Sequence, residues 1–441
     1  MKINDIPSGV NKMSLYVKEI RGNVNSEITN EFTSNLGNRL GNFLQNSVVN
    51  VGMDDTPVSR MISHSLTSGI MAAGINVNDY GIIPLPVVHY LSSFNNGDIQ
   101  LYISTNHNKV AIKIYSDYEI HLEDTQPERV IGDKVGQLKY VNKYFDKYHE
   151  AILKRIDKEV IMNKRPKVML DCGNKYMMPY ITKILTSFGV DNILFSCENS
   201  DINGNSDVLR RSENISTLSD VVTTVGADLG ISLDNEMDKV VFIDENGDTV
   251  KDQTMIGIFA KNSLKEKPGT IVSSVVSSLA LEEVVKQTNG KLIKAPVNSI
   301  LSESVNSNAI FAGDEPGIYV FPQFQSCSDP IFATVMLIKI ISENKTLSKL
   351  ASEIPEYHRT GFTIKCDHEN KSKAIDMLKV KLEEKGRIDT TDGVRVDFGD
   401  SYVLVHPSIF DPLLKIYIET KKPGQLSVLN REVSDIISEI N

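Results

Sequence analysis

Residues 228–247 read DLGISLDNEMDKVVFIDENG, with Asp234, Glu236 and Asp238 at alternate positions. Carboxylates so close in the chain repel one another, and a hard divalent cation relieves that repulsion. Oxygen ligands alone suit Mg²⁺, which keeps few protein ligands and completes its shell with water or phosphate. ADLGISL and VVFID on either side both have strand composition, and Asn246-Gly247 signals a tight hairpin turn. The carboxylates therefore cap the end of a buried strand, where α/β proteins place ligand sites. Two other readings use the same residues. Asp234 to Glu245 superficially fits a calcium EF-hand loop, but Lys239 holds the position where the sharp turn requires Gly, and VVFI is strand rather than loop. The plainest alternative is a solvated acidic turn with no cation.

The elements around this run alternate. SVVNVGM (47–53) reads as a strand, SRMISHSLTSGIMAAG (59–74) has apolar residues at helical spacing, and IQLYIST (99–105) reads as a second strand. PKVMLDCGN (166–174) is a third, followed by the helical MMPYITKILTSFG. Strand, helix and strand in this rhythm predict α/β units with largely parallel sheets. KRIDKEVIMNKRPK (154–167) reads as a helix end running into a linker. GTIVSSVVSS and NGKLIKAPV open another α/β block after residue 250, and past 355 a strand–helix–strand–strand–helix pattern predicts a small α+β domain with turns at Asp392-Gly393 and Gly399-Asp400. The expected domains are 1–150, 151–250, 251–355 and 356–441.

Bulk properties exclude several classes. A chain of 441 residues is too long for one core. Its net charge of −10 argues against a nucleic-acid binder, which needs a basic surface. No apolar run is long enough for a membrane helix and no secretory h-region is visible, so a cytoplasmic protein is expected. Cys172, Cys197, Cys327 and Cys366 form no C-x-x-C pair and read as structural.

The acidic run and its flanks resemble the α-D-phosphohexomutases (phosphomannomutases, phosphoglucomutases and phosphoglucosamine mutases), whose metal loop D-G-D-A-D-R follows D-L-G-I and precedes V-V-F-V-D-E. The resemblance extends along nearly the whole chain: EIRGNVNSEITNEF near the N-terminus, SGIMAAGINVNDYGIIPLPVVHY before the catalytic loop, DCGN, AGDEPGIYVFP at the sugar loop, and DGVRVDFGDSYVLVHPSIFDPLLKIYIE at the phosphate-binding domain. It implies three related α/β domains with mixed, largely parallel sheets and a smaller α+β domain around a central cleft. It also implies a phosphoserine coordinated by Mg²⁺, which exchanges its phosphoryl group with a hexose phosphate through a bisphosphate.

The residues that would do this chemistry depart from the family pattern. The catalytic loop T-A-S-H-N-P is STNHNK here, so Asn106 holds the serine position beside His107 and Asn108, and the stretch to Lys113 is shortened. An amide nitrogen is no nucleophile for a stable phosphoryl ester. Thr105 is expected to point away and Ser104 to lie about 6.8 Å back along the strand. G-T-S-G before I-R-G is replaced by YVKE, though Arg21 remains, and G-R-D-T-R is GMDDT. In the metal loop Glu236 replaces the central Asp and Lys239 the Arg. In the sugar loop Asp314 and Glu315 stand before Pro316, and the phosphate loop R-x-S-G-T-E-P is HPSIFDP, with His406, Ser408, Ile409, Phe410 and Pro412, and Lys415 in place of a later Arg. Bulky Ile409 and Phe410 in place of Gly-Thr impede the close backbone approach a phosphate needs.

The resemblance thus assigns a degenerate catalytic loop to Asn106, His107 and Lys113. It assigns a weakened Mg²⁺ site to Asp234, Glu236 and Asp238, and substrate contacts to Arg21, Asp314, Glu315, His406, Ser408 and Lys415. The leading expectation is a catalytically impaired binding or regulatory paralogue with a hexose phosphate as ligand, as a homodimer or with an active mutase. The alternatives are an active mutase using Thr105, Ser104 or His107, and a purely structural subunit.

Overall fold

The structure is a computed structural model and describes residues 16–44, 47–92, 99–122, 125–141, 145–173, 175–196, 208–343, 345–382, 386–408 and 411–438. Asn174, Cys197, Ile409 and Phe410 lie outside the described residues. Among the described residues no helix is long and apolar enough to cross a membrane. The chain resolves into two compact units, Met1–Val250 with Pro316–Lys349, and Lys251–Glu315 with Leu350–Asn441.

The first unit holds two sheets. One orders its strands Tyr16–Asn23, Lys109–Ser116, Ile99–Asn106, Val48–Met53, Asn76–Ile82 and Leu138–Tyr140. The first two pairings are antiparallel and the rest parallel. Val48–Met53 is apolar almost throughout because both faces of a central parallel strand are covered. The helix after it, Pro57–Ala72, begins where Thr56 accepts the Ser59 N–H and Pro57 fits the first turn. The second sheet runs Val240–Ile243, Leu229–Leu233, Lys167–Cys172, Asp191–Ser196, antiparallel only at its first pairing.

In the second unit, parallel strand Thr270–Ser274 lies between Lys291–Ala295 and Phe311–Asp314. An antiparallel sheet follows in the order His358–Lys365, Leu413–Thr420, Ser401–Pro407, Val394–Asp397, Arg387–Asp389. Helix Pro423–Ser438 brings Leu429 and Val433 onto its core.

One expectation needs correction. The stretch 154–167 is not a linker, because Asp157 caps a further helix, Lys158–Lys164, whose Ile161 is fully buried. Within the chain, residues 316–349 group with the first compact unit. The polar bonds of that segment explain the grouping: Ser328 Oγ donates to the Asp238 carbonyl at 2.7 Å, and the Tyr148 hydroxyl donates to Asp329 Oδ1 at 2.8 Å.

Candidate functional site

The acidic loop joins strands Leu229–Leu233 and Val240–Ile243, with Met237 buried and in the left-handed region at φ 54°. Asp234 shapes the loop from inside, its Oδ1 accepting the N–H groups of Asp238 at 2.9 Å and Lys239 at 3.1 Å. Lys113, on strand Lys109–Ser116, reaches into the same loop. Its Nζ donates to Glu236 Oε2 at 2.5 Å and to Asp238 Oδ2 at 2.7 Å. Lys239 Nζ lies 2.5 Å from Asp238 Oδ1 and 3.6 Å from Asp234 Oδ2. Burial opposes the charge on Lys113, but Asp238 and Glu236 outweigh it and hold its pKa well above the ordinary lysine value. Burial likewise opposes the charge on Asp238, which Lys113 and Lys239 overcome, so its carboxyl stays well below the usual range. Asp234, desolvated beside Asp238, is pushed up. Arg21 pairs its Nε with Glu19 Oε1 at 2.8 Å, and its charge is further favoured by Glu236 and Asp238.

This donor set does not fit a divalent cation as it stands. Glu236 Oε2 and both Asp238 oxygens already accept ammonium hydrogen bonds, and Asp234 Oδ1 accepts loop N–H groups. Among the described residues no group of three or more His, Cys, Asp or Glu side chains is arranged to hold a metal. The three residues expected at the Mg²⁺ site do gather, with Lys113 and Lys239 among them.

The segment expected to be the catalytic loop is a hairpin tip. Strands Ile99–Asn106 and Lys109–Ser116 pair with Asn106 opposite Lys109, leaving only His107 and Asn108 to turn the chain. His107 takes φ 54°, and the Asn108 carbonyl accepts the Val24 N–H at 2.8 Å. Asn106 and His107 are exposed.

Alternation along the strand buries Ser104, at 2% exposure, and turns Thr105 to the other face. There Thr105 Oγ1 lies 2.8 Å from Ser59 Oγ, which is 2.9 Å from Thr56 Oγ1, and Thr56 donates to Asp54 Oδ1 at 2.8 Å. Asp54 Oδ2 also accepts the Thr105 N–H at 2.7 Å. Burial raises the Asp54 pKa against these donors. Asp54, Thr56 and Ser59 escaped notice as polar partners of the loop. The signal available was the helix-start pattern Asp54-x-Thr56-Pro57-x-Ser59.

In the second unit the sugar-loop candidates separate. Asp314 is buried at 4% exposure, accepts the Ser274 hydroxyl at 2.6 Å and has its pKa pushed up by burial to about 7. In this structure the Asp314 carboxyl is engaged within the core by Ser274. Glu315 instead lines an open cavity of about 310 Å³ with Lys251, Gln253, Tyr357, Arg359 and Tyr417. Arg359 Nη1 donates to Glu315 Oε1 at 2.5 Å and Nη2 to the Val276 carbonyl at 3.0 Å, while its guanidinium lies 5.0 Å from the Tyr417 ring centre. No local motif marks Arg359, whose partner is 44 residues away.

The phosphate-loop candidates are engaged with the protein itself. His406 Nε2 lies 3.0 Å from Asp392 Oδ2. Ser408 Oγ accepts the Asp411 N–H at 3.2 Å. Lys371 Nζ donates to the carbonyls of Ser408 at 2.5 Å and Asp411 at 2.6 Å. These two carbonyls are thus turned toward a lysine of the protein, whereas a phosphate cradle presents N–H groups. Lys415 pairs with His406 across the sheet and is half-buried.

Three family models match the chain in succession: phosphoglucomutase/phosphomannomutase α/β/α domain I over residues 12–139, domain II over 146–247 and domain III over 251–357. A phosphoglucomutase/phosphomannomutase of Thermococcus kodakarensis is 28% identical over 403 residues, covering 85% of this chain and 86% of its own. A protein of Methanococcoides burtonii named "Probable phosphoglucosamine mutase" is 28% identical over 428 residues, covering 91% and 94%. The crystal structure of a phosphoglucomutase/phosphomannomutase family protein from Burkholderia thailandensis superposes with a TM-score of 0.83 over 96% of both chains at 18% identity, a likeness of fold. With three successive domain models spanning residues 12 to 357 and relatives aligned over most of both lengths, this chain belongs to the phosphoglucomutase/phosphomannomutase family, the α-D-phosphohexomutases.

Proposed function

We propose that this chain binds a hexose phosphate without forming a phosphoryl-enzyme at residue 106, and serves as a binding or regulatory member of its family. The observation that carries this reading is Asn106, which stands where the family's catalytic serine is expected, at the strand end just before a two-residue turn. A carboxamide has no hydroxyl to accept and return a phosphoryl group. Support for a sugar phosphate as ligand comes from family membership and from the cavity at Glu315, whose size suits a small molecule. The same reading allows a second copy or an active mutase as partner.

A working mutase is the second reading, and the names of the relatives favour it over a silent protein. A specific structural observation also speaks for it: Thr105, next to Asn106, has a hydroxyl linked through Ser59 and Thr56 to the Asp54 carboxylate. On this reading Thr105 replaces the serine.

Incubation with glucose 1,6-bisphosphate followed by intact-mass measurement separates the two. The binding reading expects no phosphoryl adduct and no hexose 1-phosphate to 6-phosphate conversion, with heat of binding in calorimetry. A stoichiometric adduct that disappears in Thr105→Val would replace it with the mutase reading. No binding of any hexose phosphate at millimolar concentration would leave only a structural role.

A further inference from the structure

We propose that the Lys113 ammonium, supported by Lys239, is the permanent cation of the acidic loop, so that this chain folds independently of any divalent metal. Three carboxylates meet two ammonium groups here, and those ammoniums supply the two positive charges a divalent ion would bring. One atom, Lys113 Nζ, takes both Glu236 Oε2 at 2.5 Å and Asp238 Oδ2 at 2.7 Å. Mg²⁺ needs its oxygens at about 2.0–2.1 Å in octahedral array and would have to expel that ammonium. Lys113 is only 9% exposed. Removing its partners would strand a buried charge, a strongly unfavourable change. Asp234 offers no substitute, because its Oδ1 is committed to two loop N–H groups and its other oxygen faces Lys239.

The origin of the arrangement is the short hairpin. With only His107 and Asn108 in the turn, the register sets Lys113 opposite Tyr102 on one side and Glu19 on the other. That fixed register carries the side chain to the end of strand Leu229–Leu233, where the acidic residues begin. The proposal concerns the loop's charge balance and stands whether or not a hexose phosphate binds.

Mn²⁺ serves as the probe, its free concentration read by electron paramagnetic resonance, alongside thermal midpoints in EDTA, Mg²⁺ and Mn²⁺. The wild-type chain is expected to show no saturable Mn²⁺ binding below about 1 mM and the same midpoint in all three conditions. Lys113→Met keeps the side chain's length without its charge. It is expected to lower the midpoint in EDTA, to regain part of it on adding Mg²⁺, and to bind Mn²⁺ at least roughly tenfold more tightly than wild type. Saturable Mn²⁺ binding by the wild type, competed by Mg²⁺ and lost in Asp238→Asn, overturns the proposal, and this titration decides the matter even if the lysine variant does not fold. A folded Lys113→Met chain that remains indifferent to divalent ions overturns it as well.

Discussion

Asp314 has a buried carboxyl whose proton is retained up to about pH 7, against an ordinary value of 3.8, because burial penalises the anion more than the Ser274 hydroxyl stabilises it. Between those values the folded chain binds a proton that the unfolded chain has released. Stability from this group is therefore complete below about pH 4 and is lost as pH rises through about 7. Asp314→Asn keeps a neutral acceptor for Ser274 and removes the titration. Its thermal midpoint should exceed that of the wild type by a few degrees at pH 8 and converge with it only toward pH 4. Parallel curves for the two proteins would show that the carboxyl is ionised throughout. A carboxylate next to the sugar-loop residue Glu315 thus belongs to folding energetics, which its position in AGDEPG did not reveal.

Helices Asn30–Phe43 and Pro57–Ala72 owe their close packing to glycines. A Cβ on Gly69 would lie 2.0 Å from the Ser34 carbonyl oxygen, and one on Gly37 would lie 2.1 Å from that of Leu66. Both obstacles are backbone atoms and cannot swing aside. Gly69→Ala should cost about 3 kcal/mol, read as a lower urea midpoint, whereas Gly424→Ala, with no atom within 4 Å, should cost nothing. Unchanged stability of the Gly69 variant would mean that the helices slide apart freely. Elements of this kind were legible in the sequence because their causes are local. Strand Val48–Met53 is a short apolar run, and helix Pro57–Ala72 has its cap and its proline adjacent in the chain. The gathering of Asp234, Glu236 and Asp238 was legible for the same reason. Their neutralisation was not, since Lys113 lies 123 residues from Glu236 and meets it only through a strand register set by a two-residue turn. Helix Lys158–Lys164 was missed because a short charged helix with one buried residue, Ile161, has almost no periodic signal.

At the scale of the whole molecule, the second unit is assembled from two stretches of chain, Lys251–Glu315 and Leu350–Asn441, and one buried side chain ties them together. Arg395, fully buried on strand Val394–Asp397, donates to the carbonyls of Val275 at 2.7 Å and Ser277 at 3.0 Å, to Glu282 Oε1 at 3.1 Å and to Asp397 Oδ1 at 3.0 Å. Its guanidinium also stacks 3.7 Å from the centre of the Tyr402 ring. Arg395→Met fills the same space but leaves two buried carbonyls and the Asp397 carboxylate without that donor, whereas Glu282 keeps Lys294 as a partner at 2.5 Å. The expected cost is about 3 kcal/mol, toward the lower end for a broken buried pair because one carboxylate is still neutralised. Hydrogen exchange locates the loss. Amides in strands Ser401–Pro407 and Leu413–Thr420 should lose roughly a hundredfold in protection, while those in Ile99–Asn106 and Lys167–Cys172 keep theirs, because each compact unit opens on its own core. A uniform loss across all four strands would instead make the 441 residues a single cooperative unit, with Arg395 holding the entire chain rather than its second half.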